Sequence, residues 1–429
     1  MREYLPLRFR YSRFYWNTLA FLQASEWWSA DRLAEYQLDQ VKKMLQHCAL
    51  HVPFYRRLFR QIGFDPNSFC SFSDWTHLPL LDKETVRSRR DEFLAENIRS
   101  RDREYYTTGG TMGRPLGLYG LRDAGWRERA FMDAQWGRVG FRNFEVRAML
   151  KGSVVAKKKH WTYDPKQRAF IFSNFHMTPE NVAEYTRVIK KAKVPYLHSY
   201  PSAVIDFARH LKHQGIEPPR FRAIFIGSEN LYPGQREFIE SFFECRAYSW
   251  YGHSENVVLA GECEVDRNYH VCPQYSYVEV ITKEGRLAEH EGETGELVGT
   301  SIYNLAMPLI RYRTDDFAIL GPMSCHCGRQ YKLLRETNGR WLQEMLIGHR
   351  GNLISMTALN MHSDVFDQVQ QFQFYQREKG KAELRIVRKS TFSEKDERAI
   401  LKALGDKVGD SLEVELTFPS SIPLTPRGK

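Results

Sequence analysis

The sequence of 429 residues lacks the features that mark membrane-spanning, fibrous and disordered chains. No run approaches the ~18 consecutive apolar residues of a membrane-spanning helix, and no fixed period indicates a solenoid. A composition that is 42% hydrophobic and 27% charged is that of an ordinary globular protein and excludes wholesale disorder. The length exceeds that of a single ordinary domain and predicts two or three domains.

The chain contains only seven cysteines, which is an odd number. So few cysteines in a long chain argue against a disulfide framework and predict a cytoplasmic protein. The basic, aromatic N-terminus is followed by no small-residue cleavage site of the kind that ends a secretory signal. Trp16, Phe21, Trp27 and Trp28 are compatible with a peripheral membrane contact, although packing of these side chains on the domain is the favoured interpretation.

A basic stripe of the kind that binds nucleic acid is also missing. Lys and Arg total 62 against 52 Asp and Glu, which gives a net charge of +10, but the excess is spread along the chain. The sequence therefore predicts no nucleic-acid partner. A diffuse positive field suits an anionic small molecule such as a nucleotide equally well.

Strand and helix patterns alternate through the middle of the chain. Strands are predicted at 146–156 and 168–173, and a helix at 179–193 with Thr178 as its cap and Pro179 as its first residue. The βαβ rhythm continues to residue 252, which predicts an α/β fold with a largely parallel sheet. From 269 to 320, short alternating strands predict an antiparallel, barrel-like subdomain.

A change of composition beyond residue 346 predicts a domain boundary near 340–347. We expect a large N-terminal domain, residues 1–345, and a small α+β domain, residues 346–429.

Four segments carry polar residues in patterns that suit phosphate chemistry. In the loop 108–115, glycines expose backbone N–H groups and threonines offer hydroxyl groups to an anion. Glu255 follows a predicted buried strand, where a carboxylate can hold Mg²⁺. Asp316 follows another strand and can bind ribose hydroxyls, and the chain ends in PLTPRGK. Taken singly, each segment has a simpler interpretation as a turn, a surface glutamate or a disordered tail.

In this order, the segments resemble the motifs of the adenylate-forming superfamily. TTGGTMGRP resembles TSGTTGKP, with Gly109 and Met112 as departures. YGHSE resembles YGxTE, RYRTDD resembles YRTGD, PLTPRGK resembles PxTxxGK, and GSENL at 227–231 resembles the GGE element. HVPFYRRLF, the YPSA run at 200–203 and MPLIRYRT resemble the phenylacetate–coenzyme A ligase and CapK branch of the superfamily.

The resemblance implies a role for each matching residue. The residues implied for ATP are Thr108, Gly110, Thr111 and Gly113 at the phosphates, Gly227, Ser228, Glu229, Tyr248 and Tyr251 at the adenine, and Asp316 at the ribose. The implied catalytic residues are Glu255, which would hold Mg²⁺, Arg350, which matches the hinge arginine, and Lys429, which matches the adenylation lysine. The candidate acyl-pocket residues are His198, Tyr200, Ser202 and Trp250.

The implied reaction is ATP-dependent activation of a small carboxylic acid as an acyl-adenylate, with release of pyrophosphate. The acyl group then passes to a thiol such as that of coenzyme A. Two alternatives remain open. One is CapK-like activation of an acyl or aminoacyl group for surface polysaccharide modification without coenzyme A. The other is a nucleotide-binding protein that has lost catalysis, which Met112 and the weak hinge motif favour, whereas Glu255 and Asp316 argue against it.

Three cysteines and a histidine are spaced for a structural zinc site. Cys325 and Cys327 form a C-x-C pair, and Cys263 and His270 lie upstream, which completes a tetrahedral set of donors. Cys272 or His253 is an alternative ligand, and reduced free cysteines are the simpler interpretation. Zinc here would link the strand-rich part, about 256–335, to the nucleotide core. A closed site with four protein ligands leaves no position open for catalysis.

Overall fold

The structure, a computed structural model, describes residues 11–108, 116–142, 145–153, 155, 160–338, 345–359 and 363–423. In these residues the α-helices are α1 (Arg13–Ser25), α2 (Ala30–His51), α3 (Pro53–Ile62), α4 (Lys83–Ser88), α5 (Ala124–Gly137), α6 (Pro179–Lys191), α7 (Pro201–Gln214), α8 (Gln235–Phe243), α9 (Met356–Leu359) and α10 (Glu394–Val408). No described helix is both long and apolar enough to cross a membrane.

The strands are β1 (Arg103–Thr107), β2 (Gly117–Leu121), β3 (Arg147–Leu150), β4 (Trp161–Asp164), β5 (Ala169–Phe172), β6 (Tyr196–Ser199), β7 (Ala223–Gly227), β8 (Ala247–Gly252), β9 (Leu259–Glu262), β10 (Tyr269–Val271), β11 (Ser276–Thr282), β12 (Thr294–Ser301), β13 (Tyr312–Leu320), β14 (Leu333–Asn338), β15 (Met345–Ile347), β16 (Leu353–Ser355), β17 (Val369–Glu378), β18 (Lys381–Arg388) and β19 (Glu413–Thr417). The mixture of helices and strands confirms the predicted α/β class.

The chain divides into two compact units, each with its own apolar core. The first unit comprises Met1–Tyr106, Leu116–Asn143 and Ser249–Arg340. The second unit comprises Thr107–Pro115, Phe144–Tyr248 and Trp341–Lys429. The boundary falls inside strand β8.

The first unit contains the strand-rich part of the chain. Its strands pair in the order β11-β12-β13-β14-β10-β9-β8, and every one of these pairs is antiparallel. The antiparallel arrangement predicted for 269–320 is therefore present, and it extends beyond that range to β8, β9 and β14. Gly285 and Gly292, in the segment between β11 and β12, have φ of 82° and 88°. This left-handed conformation favours glycine because it has no Cβ.

The N-terminal aromatic residues pack on the first unit. Tyr15 of α1 is fully buried and donates a hydrogen bond from Oη to Asp133 Oδ2 of α5 at 2.8 Å. Phe21, Trp28 and Tyr36 form a cluster of ring contacts with centroids 5.4–5.8 Å apart. Trp27 is 60% exposed, and the peripheral membrane contact stays a prediction.

The second unit holds the predicted parallel sheet. Its strands pair in the order β7-β6-β3-β5-β4, in which only the pair β4–β5 is antiparallel. The predicted start of helix α6 is confirmed, because Thr178 Oγ1 accepts a hydrogen bond from the backbone N–H of Asn181. Strand β3 ends at Leu150 and is shorter than the predicted 146–156.

The C-terminal segment adds a three-stranded sheet, β17-β18-β19, to the second unit. Helix α10 connects β18 to β19, and these two strands are parallel, as a crossover through a helix requires. Leu346 and Ile354 lie in the same apolar core as Leu150. Asn352, two residues after Arg350, is buried and donates from Nδ2 to the Phe175 carbonyl at 2.9 Å. The division into residues 1–345 and 346–429 stays a prediction.

Candidate functional site

The loop after β8 brings a buried carboxylate next to positive charge. Glu255 lies in this loop and is 6% exposed. Its Oε1 accepts hydrogen bonds from Lys83 Nζ and Tyr312 Oη, both at 3.1 Å. Its Oε2 lies 3.3 Å from Nδ1 of His253. Lys83 is the first residue of α4, which is capped by Asp82, so the start of a short helix delivers the ammonium group.

These neighbours keep Glu255 ionised. Burial alone would raise the pKa of its carboxyl group, but the Lys83 ammonium and His253 outweigh burial and hold that pKa well below its usual range. A buried ionised carboxylate is costly and is enriched at functional sites. Lys83 is not predicted from the sequence, because it lies 172 residues from Glu255 and its segment has the pattern of an ordinary helix start.

Two residues from separate nucleotide motifs meet in the first unit. Tyr251 in β8 donates a hydrogen bond from Oη to Asp316 Oδ2 in β13 at 2.8 Å. Burial and the charge of Asp316 raise the pKa of Tyr251, so its phenol remains a donor that orients the carboxylate. Trp250, the neighbour of Tyr251, lies opposite Gly261 of β9.

The second unit gathers a different set of predicted residues at the carboxyl edge of its parallel strands. Glu229 follows β7, and its Oε2 accepts from the Ser202 backbone N–H at 2.9 Å. Its Oε1 accepts from Ser202 Oγ at 3.0 Å, and the Ser355 side chain is a further partner. Ser202 lies in the first turn of α7, so the carboxylate lies at the positive end of that helix.

The turn that carries Glu229 has an unusual backbone. Ser228 has a φ of 64°, in the left-handed region that favours glycine. Strained backbone at the carboxyl end of a parallel strand is typical of ligand-binding sites. The placement of Gly227, Ser228 and Glu229 at the adenine remains a prediction.

A lysine that the sequence analysis missed joins two predicted acyl-pocket residues. Lys151 follows β3, and its Nζ lies 3.4 Å from Nε2 of His198 and 5.2 Å from the ring centre of Tyr200. The Lys151 side chain is partly exposed. Desolvation, and then the charge of Arg147, lower its pKa to about 8, whereas Glu229 opposes this shift.

The remaining predicted residues are placed as follows. Thr108 is buried directly after β1. The Arg246 guanidinium lies over the ring of Tyr248, 4.7 Å from the centre of that ring. Arg350 is exposed in the turn between β15 and β16. Gly110, Thr111, Gly113 and Lys429 lie outside the described residues.

The four predicted zinc ligands come together in the first unit. The donor atoms of Cys263, His270, Cys325 and Cys327 all lie within 4.8 Å of one another. The Sγ atoms of Cys263 and Cys325 are 3.5 Å apart, and Cys327 Sγ is 3.4 Å from His270 Nε2. Tetrahedral bonds of ~2.3 Å to sulfur and ~2.0 Å to nitrogen place donors at roughly these separations.

The chemistry of this donor set also fits a metal. Burial, together with Arg138 and Arg329, lowers the pKa of His270 to about 3, so the imidazole is neutral and can act as a ligand. Three sulfur atoms and one neutral nitrogen are the donors of structural zinc sites. Cys272, one of the alternative ligands, lies outside the cluster, with its Sγ 3.3 Å from Gln274 Oε1. His253, the other alternative, lies beside Glu255.

An arginine next to the cluster ties it to the N-terminal helices. Arg329 is 4% exposed and donates to Glu264 Oε1 at 2.6 Å and to Glu26 Oε1 at 2.7 Å. Glu26 is the C-terminal cap of α1. The Arg329 guanidinium also lies 4.7 Å from the ring centre of Trp27, so it links the cysteine loop to the junction of α1 and α2.

Comparisons with known proteins show what this chain is similar to. A family model described as the CapK C-terminal domain matches residues 346–429. A phenylacetate–coenzyme A ligase of Thermus thermophilus is 24% identical and aligns over 93% of this chain and 95% of its own length. Protein CapK of Staphylococcus aureus is 22% identical and aligns over 98% of this chain and 92% of its own length.

Solved structures show the same fold. The structure of 2-hydroxyisobutyryl-CoA ligase with 2-HIB-AMP and CoA, in the thioesterification state, has a TM-score of 0.63 to this chain. It is 20% identical, and the match covers 94% of this chain and 90% of that one. The shared fold is that of an acyl-CoA ligase that forms an adenylate. Over nearly its whole length the chain is similar to a phenylacetate–coenzyme A ligase and to CapK, which confirms the resemblance drawn from its motifs.

Proposed function

We propose that this protein activates a carboxylic acid with ATP and transfers the acyl group to a thiol such as that of coenzyme A. In the first half-reaction a carboxylate oxygen attacks the α-phosphorus, and the bond to pyrophosphate breaks. The observation that carries the proposal is the arrangement in the first unit, where an ionised, buried Glu255 lies near the Tyr251–Asp316 pair. These are the residues that the motifs assign to magnesium, adenine and ribose.

The chemistry needs positive charge more than it needs a base, because negative charge grows on the phosphate oxygens. Magnesium, when bound, neutralises that charge, and Glu255 is the residue proposed to hold it. The carboxylate fits this role because it is an oxygen donor that remains ionised although it is buried. Lys83 adds a second positive charge at the same carboxylate.

We assign zinc to the cluster of Cys263, His270, Cys325 and Cys327 as a structural ion. All four positions of a tetrahedral zinc would be filled by protein, so no substrate could coordinate it. Its role would be to join the β9–β10 hairpin to the loop before β14. Arg329 extends this link to α1.

A second candidate acceptor is a sugar or an amine, as in the CapK-like alternative. The match of residues 346–429 to the CapK C-terminal domain favours it. In adenylate-forming ligases the small domain takes part in both half-reactions, so its identity bears on the acceptor.

The test is pyrophosphate release by the purified full-length chain with ATP, Mg²⁺ and a panel of carboxylic acids. Release that depends on an acid, followed by a thioester when coenzyme A is added, is the expected result. Acid-dependent release with no thioester would support the CapK-like acceptor. Absence of release with every acid, while ATP still binds, would overturn the enzyme proposal in favour of a nucleotide-binding protein.

Asp316→Ala is expected to weaken ATP binding by at least ~100-fold, measured by calorimetry. Two charge-assisted hydrogen bonds to ribose would be lost, each contributing about 1.5–3 kcal/mol. Tyr251→Phe is the matched control, because it removes the hydrogen bond to Asp316 but leaves the carboxylate in place. We expect a smaller effect from that control. ATP affinity equal to wild type in Asp316→Ala would remove Asp316 from the nucleotide site.

A further inference from the structure

The carboxylate that we propose for magnesium already has protein partners on both of its oxygens. Lys83 Nζ lies 3.1 Å from Glu255 Oε1, and Tyr312 Oη donates to the same oxygen at 3.1 Å. His253 Nδ1 lies 3.3 Å from Oε2. Glu255 is buried, and the Lys83 side chain is only 25% exposed. A divalent cation that binds this carboxylate must therefore compete with these partners.

The backbone fixes Lys83 beside the strand that carries one of the other partners. Leu81 donates its N–H to the Arg311 carbonyl and accepts from the Arg313 N–H, both at 2.9 Å. The residue between these two positions is Tyr312, which forms a parallel bridge with Leu81. Lys83 follows Leu81 by two residues, so its ammonium group is anchored at the carboxylate. It is not a mobile surface charge of the kind that contributes little.

The charges at this carboxylate do not favour a second cation. Glu255 carries one negative charge, and the Lys83 ammonium lies directly beside it. A dication at the same carboxylate would be repelled by that ammonium group, and burial leaves little water to screen the repulsion. Mg²⁺ also gives up its bound water reluctantly. Tight binding of magnesium therefore requires the ammonium group to leave.

An ammonium group that leaves a buried carboxylate needs another anion. Phosphate oxygens form strong charge-assisted hydrogen bonds with lysine, and in the proposed reaction ATP supplies them. If Lys83 moves to a phosphate oxygen, Glu255 becomes available to the cation that accompanies the nucleotide. Each positive charge then keeps an anionic partner.

We propose that Lys83 excludes divalent cations from Glu255 until ATP binds, and that the phosphates of ATP then bind the ammonium group, so that magnesium and nucleotide bind together. This inference rests on the proposed function, because it concerns the residue that we propose to hold magnesium. Lys83 is then the residue that couples metal binding to nucleotide binding. A purely structural ion pair would stabilise the loop after β8, but its removal would leave metal affinity unchanged.

The first experiment measures metal binding without ATP. Full-length wild type and Lys83→Met are titrated with Mn²⁺, followed by electron paramagnetic resonance, and with Mg²⁺, followed by calorimetry. We expect Lys83→Met to bind Mn²⁺ about 10- to 100-fold more tightly than wild type, the range of one charge-assisted hydrogen bond. Mg²⁺ should also raise the melting temperature of Lys83→Met more than that of wild type, because a cation that binds the folded state stabilises it.

Four further variants test whether the effect belongs to this pair. Lys43→Met is the matched control, because it removes an exposed lysine of the same unit that pairs with Asp39. Lys83→Arg keeps the positive charge and should behave as wild type. Lys83→Gln keeps a neutral donor and should behave as Lys83→Met, which it replaces if that variant does not fold. Glu255→Gln, combined with Lys83→Met, should remove the gained metal site.

The second experiment measures how the nucleotide changes metal affinity. α,β-Methylene ATP should tighten Mn²⁺ binding by a factor at least ~10-fold larger in wild type than in Lys83→Met, because only wild type must break the ion pair before the metal binds. Equal tightening in both proteins would refute the transfer of Lys83 to the phosphates. Equal metal affinities without ATP, or a gained site that survives Glu255→Gln, would overturn the inference.

These outcomes separate the inference from the function on which it depends. Acid-dependent pyrophosphate release by wild type, together with equal metal affinities of wild type and Lys83→Met, would overturn the inference and leave acid activation standing. Absence of release with every acid would overturn the function. A tighter Mn²⁺ site in Lys83→Met would in that case still support the role of Lys83.

Discussion

Replacing Lys429 with alanine is expected to slow acyl-adenylate formation by about 10²–10³-fold, the effect of removing one group that stabilises transition-state charge. ATP affinity should remain near that of wild type. The reason is that Lys429 matches the lysine that meets the α-phosphate and the carboxylate, where negative charge increases only as the reaction proceeds. A group that acts mainly on the transition state affects the rate more than substrate binding.

Two measurements check this expectation. ATP–pyrophosphate exchange reports adenylation, and calorimetry reports ATP binding. Arg427→Ala is the matched control, since it removes one positive charge from the same terminal segment. If Lys429→Ala and wild type exchange pyrophosphate at equal rates, the terminal lysine has no part in the chemistry.

Features that depend on residues close together in the sequence are predicted well. The start of α6 depends on Thr178 and Pro179, and both signals act within one turn. The zinc ligands were also accessible from the sequence. Cys325 and Cys327 are two residues apart, and Cys263 and His270 are connected by a short hairpin, so each pair is local. Bringing these two pairs together then requires only one long-range contact.

Features that depend on distant contacts were not predicted. The ion pair of Lys83 with Glu255 joins segments 172 residues apart, and no periodicity near Lys83 indicates it. The pattern of 146–156 predicts a single strand that includes Lys151. The strand ends at Leu150 instead, and Lys151 follows it. Strand β17 is not predicted from the sequence, because glutamine occupies many of its positions. Phe372 and Phe374 nevertheless follow the period of a strand.

Replacing Cys325 with serine is expected to remove the zinc and to lower the melting temperature by roughly 8–16 °C. An ion present at ~1,000 times its dissociation constant stabilises the folded state by about 4 kcal/mol. In a unit of this size each kcal/mol corresponds to about 2–4 °C. The cluster connects the β9–β10 hairpin to the loop before β14, so its loss frees segments 62 residues apart. The ATP affinity of the folded fraction should persist, because Glu255, Tyr251 and Asp316 are not ligands.

Metal analysis and calorimetry check both halves of this prediction. Protein purified without chelator should hold about one zinc per chain, and Cys70→Ser is the matched control, since Cys70 is an exposed cysteine of the same unit outside the cluster. Zinc bound only in the folded state must contribute to stability, because the unfolded chain does not hold the four donors together. Wild-type protein that contains no zinc would therefore refute the site. A Cys325→Ser variant that melts with wild type, in protein that does contain zinc, would show that the ion is held elsewhere and that the four donors are reduced side chains packed around Leu333.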